Sequence, residues 1–335
     1  MQRPIHLRKK AIRLSTTTAR GIAAVGASAA GFGLLPVLAL WGASTGLNVM
    51  TLLILRFALT AALLPLLMRE RRPEGEREPE PLAARDLGGL FLLGVLFALQ
   101  SVLYLLAVER ISPGLAVLLH YIYPVFVLVL SVALRHDAAK ARLVLPLAIS
   151  LAGLALTVGS PGDADTVGVL CALACALVYA LYVVLGTRLS ERVGPQRLTL
   201  YVVLCSALSL AAVALPTGRF DLGFQPSGWA AIATIAVAST AMPIALFFVG
   251  AKILGATGAS ILSMLEPIVG VLAAWALLGE KVTLLQLAGG AILLTGAALS
   301  VYAPSAPAGP DGRRGTVSAP AQPRVTAARR ARRGS

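Results

Sequence analysis

An all-α integral membrane protein is the fold class predicted for this chain of 335 residues, and three observations predict it. The composition is 57% hydrophobic and only 13% charged, with a mean hydropathy of +0.83, far from that of a water-soluble domain. Apolar residues gather in ten runs of bilayer-crossing length. The basic residues fall almost wholly on alternate ends of those runs.

Taken in order, transmembrane helices are expected near 21–41, 47–68, 87–108, 113–134, 143–159, 166–187, 197–216, 228–250, 255–278 and 282–302. The first follows a basic leader at 1–20. Arg8, Lys9, Lys10 and Arg13 ahead of an apolar run imitate a signal peptide, but losing that helix would leave nine spans, so an uncleaved first helix is expected. It carries Ala29 and Gly33 at small-residue spacing, which lets helix backbones approach in lipid. The second holds Arg56 within its apolar run. A mixed-charge loop with three prolines, 69–86, then reads as a solvated linker, whereas the other connections are short and leave no room for a folded domain outside the membrane.

The third helix carries Gln100 and Tyr104 at i and i+4, and the fourth carries His120, Tyr123, Pro124, Val127 and Ser131, four of them along one stripe. Pro146 lies in the fifth. Cys171, Cys175, Tyr179 and Tyr182 belong to the sixth and Cys205 to the seventh. The three cysteines read as small packing residues, since none has a neighbouring His or carboxylate to complete a metal site. The eighth contains Pro243 and the ninth Ser263, Glu266 and Pro267. The tenth follows Glu280, expected first as a helix cap and second as a gate residue, and has Gly289 and Gly296 one heptad apart. Residues 303–335 form a Pro-, Ala- and Arg-rich tail that cannot bury enough apolar surface to fold.

With the amino terminus on the cytoplasmic side of the cell membrane, 25 of the 29 basic residues lie inside, against Arg110, Arg219 and Lys281 outside and Arg56 within a helix. Both termini are then cytoplasmic. The net charge of +14 follows from this bias and from the two tails, and it suits anionic lipid headgroups rather than nucleic acid.

Ile111–Val158 aligns with Leu254–Val301 at 12 of 48 positions, and its landmarks coincide: Pro124 with Pro267, Asp137 with Glu280, Gly153 with Gly296. The offset of 143 residues maps helices 3–5 onto helices 8–10. An odd repeat of five helices enters the membrane from the opposite side the second time, so two inverted halves are expected, 21–159 and 160–302. In that register Tyr123 corresponds to Glu266, His120 to Ser263, and Gln100 and Tyr104 to Pro243 and Phe247.

The segments LILRF at 53–57, LAVLLHYIYPVFVLVLSVAL at 115–134 and SILSMLEPIVGVLAAWALLGEKVTLLQLAGGAILLTGAALSV at 260–301 resemble the EamA family of the drug/metabolite transporter superfamily, over roughly residues 21 to 302. The second half is the nearer match, with its Glu-Pro pair and LGEKV junction. The first half departs from it, with LRHDAA where a Gly-Glu junction is usual, which withholds a specific role from Asp137. The resemblance implies ten helices in two inverted five-helix halves and secondary transport of small metabolites, frequently export of amino acids.

Candidate residues for substrate binding or coupling follow from polarity at membrane depth. An ionised Glu266 midway along its helix would cost on the order of 2.5 kcal/mol or more, so it must be protonated, paired or facing a wet cavity. It is either a substrate-amine or proton site or a protonated acid bonded within the bundle. Arg56 stays charged and either binds a substrate carboxylate or snorkels and ties helices together. His120 is a candidate proton carrier or a neutral ring satisfied by a neighbour. Tyr123, Ser263, Gln100 and Tyr104 complete the candidates, with Tyr179 and Tyr182 as further rings. Pro124 and Pro267 are candidate hinges, or static kinks that aid packing.

A carrier working by alternating access is the expected function, with a small-molecule substrate, membrane lipids as surroundings and protons as a candidate coupling ion. No cofactor or metal is expected. A flippase for lipids or lipid-linked sugars would share the architecture. A membrane-embedded enzyme would need a catalytic cluster such as H-E-x-x-H, and only three histidines are present. No nucleotide-binding motif provides ATP drive, and no charge ring or carbonyl filter marks a channel.

Overall fold

A computed structural model describes residues 16–70, 82–134, 141–158, 165–279 and 281–302. Asp137, Glu280, most of the 69–86 linker and the 303–335 tail lie outside the described residues.

Every element among the described residues is helical. They are α1 (Thr16–Ser44), α2 (Val49–Glu70), α3 (Ala84–Val108), α4 (Pro113–His120), α5 (Tyr123–Ala133), α6 (Val144–Val158, after a 3-10 turn), α7 (Thr166–Val193), α8 (Pro195–Ala214), α9 (Gly228–Ala236), α10 (Met242–Ser263), α11 (Glu266–Leu278) and α12 (Leu284–Tyr302). A π-helical turn, Val237–Ala241, joins α9 to α10. Among the described residues six stretches are long and apolar enough to cross a membrane: Thr16–Ser44, Ala84–Val108, Leu115–Ala133, Thr166–Val193, Pro195–Ala214 and Gly228–Ser263. Val49–Pro65, Val144–Thr157, Glu266–Leu278 and Leu284–Ser300 are shorter apolar helices. Their outward faces carry Phe91, Val129, Leu145, Leu208 and Trp275, all exposed, as a surface solvated by lipid tails requires.

Local chemistry sets several helix starts. Asn48 accepts from the Thr51 amide at 2.8 Å, Ser112 from Leu115 at 3.3 Å with Pro113 as the first helical residue, and Asp165 from Gly168 at 2.8 Å. At α12 the Thr283 hydroxyl accepts from the Gln286 amide while Gln286 Oε1 accepts from the Thr283 amide, a reciprocal capping box.

The boundary expected between spans eight and nine takes a different form. No loop separates 228–250 from 255–278; α10 runs through, kinked at Gly255, whose φ of 78° and ψ of 160° are closed to side-chain-bearing residues. Gly194, between α7 and α8, has nearly the same conformation, φ 83° and ψ 147°. A single glycine thus turns the chain where a loop would otherwise stand.

Helix α1 packs along α10 and α11, α3 along α7 and α8, α2 along α8 and α9, α5 along α7 and α10, and α6 along α12. Polar ties fix some of these pairs: Ser28 donates to the Pro243 carbonyl at 2.8 Å, Ser206 to Gly94 at 2.9 Å, and Thr60 to Ala236 at 2.9 Å. Between α6 and α12 the backbones touch through Gly289, where a Cβ would lie 2.6 Å from the Thr157 amide and 2.7 Å from the Gly153 carbonyl. The expected close-packing role of Gly289 is therefore realised, with Gly153 as its partner.

Candidate functional site

Two helix breaks build the candidate site. Pro124 and Pro267 each stand second in a helix, α5 and α11, and each lacks the amide that would bond to the carbonyl four residues earlier, that of His120 or Ser263. The chain tightens ahead of each proline: the Ile122 amide bonds to the Leu119 carbonyl at 3.2 Å, and the Leu265 amide to the Leu262 carbonyl at 3.2 Å. Backbone angles agree closely, φ −72° and ψ −14° at Ile122 against φ −67° and ψ −20° at Leu265. Both expected hinges are thus discontinuities with matching geometry.

The breaks aim side chains at one another. Tyr121, in the gap between α4 and α5, donates to Glu266 Oε2 at 2.9 Å. Tyr123, only 1% exposed, donates to the Ser260 carbonyl at 3.2 Å and ties α5 to α10, with buried Ser263 beside its hydroxyl. His120 is a hub of rings: its centre lies 5.7 Å from Tyr104, 5.5 Å from Tyr121, 5.6 Å from Tyr123 and 5.3 Å from Tyr179. Tyr179 meets Tyr123 edge-on at 4.7 Å and stacks on Tyr182 at 5.7 Å. These separations are those of interacting aromatic pairs.

Helices α3 and α7 close the cluster on a further side. The Cys175 thiol sits 3.4 Å from His120 Nδ1 and 3.2 Å from the Gln100 carbonyl, while the Gln100 amide donates to Ser101 at 2.8 Å and to the Phe97 carbonyl at 3.1 Å. Gln100, Tyr104, His120, Tyr179 and Glu266 are half-buried, so each keeps some surface free, whereas Tyr123 and Tyr182 are walls. Among the described residues no group of three His, Cys, Asp or Glu converges as metal ligands would.

The structure therefore gathers Glu266, His120, Tyr123, Tyr104, Gln100 and Ser263. Arg56 stands apart. It is buried in α2 with its guanidinium 4.5 Å from the centre of the Phe57 ring, and no hydrogen bond or ion pair joins it to the cluster among the described residues. A chain of rings runs between the two places, Phe57 to Phe97 at 5.5 Å and Phe97 to Tyr182 at 4.9 Å.

Two members escape a reading of helix faces. On an unbroken helix Tyr121 would point about 100° away from His120, and only the break returns it to the cluster; the alternation of tyrosines in YIYP was the available signal. Cys175, expected as packing, is a polar neighbour of His120.

Chemically, the cluster offers one carboxylate, several tyrosine hydroxyls, an imidazole and aromatic faces. An ammonium group would find both a charge partner and ring faces there.

The chain matches the EamA-like transporter family twice, over residues 19–159 and 166–302. It is similar to an uncharacterized transporter of Archaeoglobus fulgidus, 31% identical over 220 residues, covering 64% of this chain and 78% of that protein. It is also similar to the uncharacterized transporter YcbK of Bacillus subtilis, 27% identical over 236 residues, covering 67% and 73%. A solved crystal structure shares the fold with a TM-score of 0.68 at 22% identity, over 86% of this chain and 99% of that one. With both halves matched and the outer faces apolar, the chain is a multi-pass membrane protein that belongs to the EamA-like transporter family.

Proposed function

We propose that the protein is a secondary carrier of small amine-bearing metabolites, amino acids or related compounds, working by alternating access and exporting them from the cell. Its substrate site is the tyrosine cluster beside Glu266. The observation that carries this is the hydrogen bond from Tyr121 to Glu266, which joins two matching helix breaks 143 residues apart.

Ten membrane passes in two inverted halves, 21–159 and 160–302, are part of the proposal, and the packing supports them. Exchange α1 with α7, α2 with α8, α3 with α9 and early α10, α4 and α5 with late α10 and α11, and α6 with α12. The packing of α1 on α10 then becomes that of α7 on α3, α1 on α11 becomes α7 on α5, and α2 on α9 becomes α8 on α3, while α2 on α8 and α6 on α12 map onto themselves. Half-helices that end at a central site are what a carrier needs, because their loosened backbone can line a cavity without facing lipid. The bias of basic residues supports cytoplasmic termini.

In the mechanism, the Tyr121–Glu266 bond holds α5 against α11. A substrate ammonium, or a proton, takes the carboxylate in place of Tyr121. Losing that tie frees the first turns of α5 and α11 to move about Pro124 and Pro267, which exchanges the open side. His120 and Tyr179, which keep some surface free, orient the substrate through their rings, and buried Tyr123 backs them.

Counterflow in proteoliposomes tests this: vesicles are preloaded with individual amino acids and amines, and entry of the labelled compound is followed for wild type and Glu266→Gln across pH. Exchange by wild type, with pH dependence lost in Glu266→Gln, supports a carrier coupled through Glu266. Unchanged pH dependence in that variant removes Glu266 from coupling. Silence across the panel with folded protein favours a lipidic substrate moved by the same architecture.

A further inference from the structure

A cavity lined by none of the tyrosine-cluster residues lies between the first turns of α3 and the last turns of α7, with a volume of about 200 Å³. Its rim is basic and its floor is apolar. Arg188 and Arg192 stand four residues apart on one face of α7, opposite Arg85 of α3, and Leu92, Leu185 and Leu189 lie beneath them. Gly89 keeps the cavity open: a Cβ there would lie 3.1 Å from Leu189 Cδ2.

The charges are only partly spent. Arg192 pairs with Asp86, which is buried and stands in the first turn of α3. Among the described residues, Arg188 donates to the Leu134 carbonyl at 3.3 Å, and its Nε is buried without a partner. Arg85 is exposed. Among the described residues, the three guanidiniums and one carboxylate leave a rim of net charge +2. Leu92 of the floor and Leu87, earlier on α3, are both exposed.

We infer that this cavity binds an anionic phospholipid, its phosphate on Arg85 and Arg188 and the upper part of an acyl chain on Leu92, Leu185 and Leu189. A guanidinium presents donors in the planar fork that a phosphate accepts bidentately. A free phosphate would use that rim and leave the leucines bare, and an uncharged lipid would fill the floor and leave the arginines unmatched. Only an amphiphilic anion satisfies both parts, and a basic pocket between membrane helices at their ends is where such headgroups bind. The inference is independent of the transport reading, since it concerns binding alone.

The experiment is native mass spectrometry of the full-length protein in detergent, titrated with phosphatidylglycerol or with phosphatidylcholine of the same chains, in the presence and absence of inorganic phosphate. Wild type retains one phosphatidylglycerol in preference to phosphatidylcholine. Arg85→Gln/Arg188→Gln lowers that retention about tenfold. Arg85→Gln alone, a change at an exposed side chain that leaves the fold intact, lowers it in the same direction. Arg20→Gln/Arg219→Gln, which removes equal charge at exposed positions elsewhere, leaves it unchanged. Equal retention of both lipids by wild type, equal losses in the two double variants, or displacement of the lipid by millimolar inorganic phosphate would each overturn the inference, the last by assigning the rim to a soluble anion.

Discussion

The Tyr121–Glu266 hydrogen bond can be weighed by a double-mutant cycle. Tyr121→Phe removes the donor and leaves Glu266 without its 2.9 Å partner, while Glu266→Ala removes the acceptor. A hydrogen bond to a charged group is worth about 1.5–3 kcal/mol and one between neutral groups about 0.5–1.5 kcal/mol. Glu266 as a whole residue is half-buried, so the expected coupling lies where the two ranges meet, at about 1.5 kcal/mol, roughly tenfold in the unfolding constant. The assay is equilibrium unfolding in mixed micelles of detergent and dodecyl sulfate for wild type, both single variants and the double variant. Tyr121→Phe should cost about 1.5 kcal/mol in wild type and close to nothing when Glu266→Ala is already present. Additivity of the two changes within about 0.5 kcal/mol would refute the tie, since that is the behaviour of sites that do not interact.

Other outcomes follow from the same contacts. Gly33→Ala should destabilise by about 1–3 kcal/mol, because the new Cβ would lie 2.7 Å from the Glu266 carbonyl. Gly26→Ala on the same helix, with nothing within 4 Å of its Cβ, should be neutral or stabilise by up to about 1 kcal/mol, and thermal melting in detergent distinguishes the two. Thr60→Val removes the bond to the Ala236 carbonyl beside the π-helical turn and should cost about 0.6 kcal/mol by the same melting assay. Tyr179→Ala, which strips rings from His120, Tyr123 and Tyr182, should raise the half-saturating substrate concentration in counterflow about tenfold, while Tyr179→Phe should stay near wild type.

Much of the fold was legible because its causes are local. A run of apolar residues predicts a helix by its length alone, since an unpaired backbone cannot stand in lipid. Pro124 and Pro267 marked the breaks in advance because the missing amide is a property of the residue itself. Glu266 was visible as a carboxylate at membrane depth, and His120, Gln100 and Tyr104 as polar residues at helical spacing. Boundaries were less legible. Helix α1 begins at Thr16, earlier than the apolar run, and α10 passes through Gly255 where a loop was expected, because one glycine conformation turns the chain without adding residues.

Which polar residues meet was decided by tertiary structure. Face arithmetic assumes a continuous helix, and past a break the direction of a side chain depends on the angle between two half-helices. Tyr121 therefore joins Glu266, although its spacing pointed it elsewhere. Cys175 becomes a neighbour of His120 because α7 crosses α4 at that level. Arg56, as polar in the sequence as Glu266, packs on Phe57 and stays out of the cluster, since α2 packs on α8 and α9. The sequence by itself determined that this protein crosses a membrane in apolar helices, breaks two of them at matching prolines and carries a carboxylate at one break. The tertiary structure alone decided what that carboxylate touches, because contacts between helices distant in the chain depend on their relative placement, which no local spacing encodes.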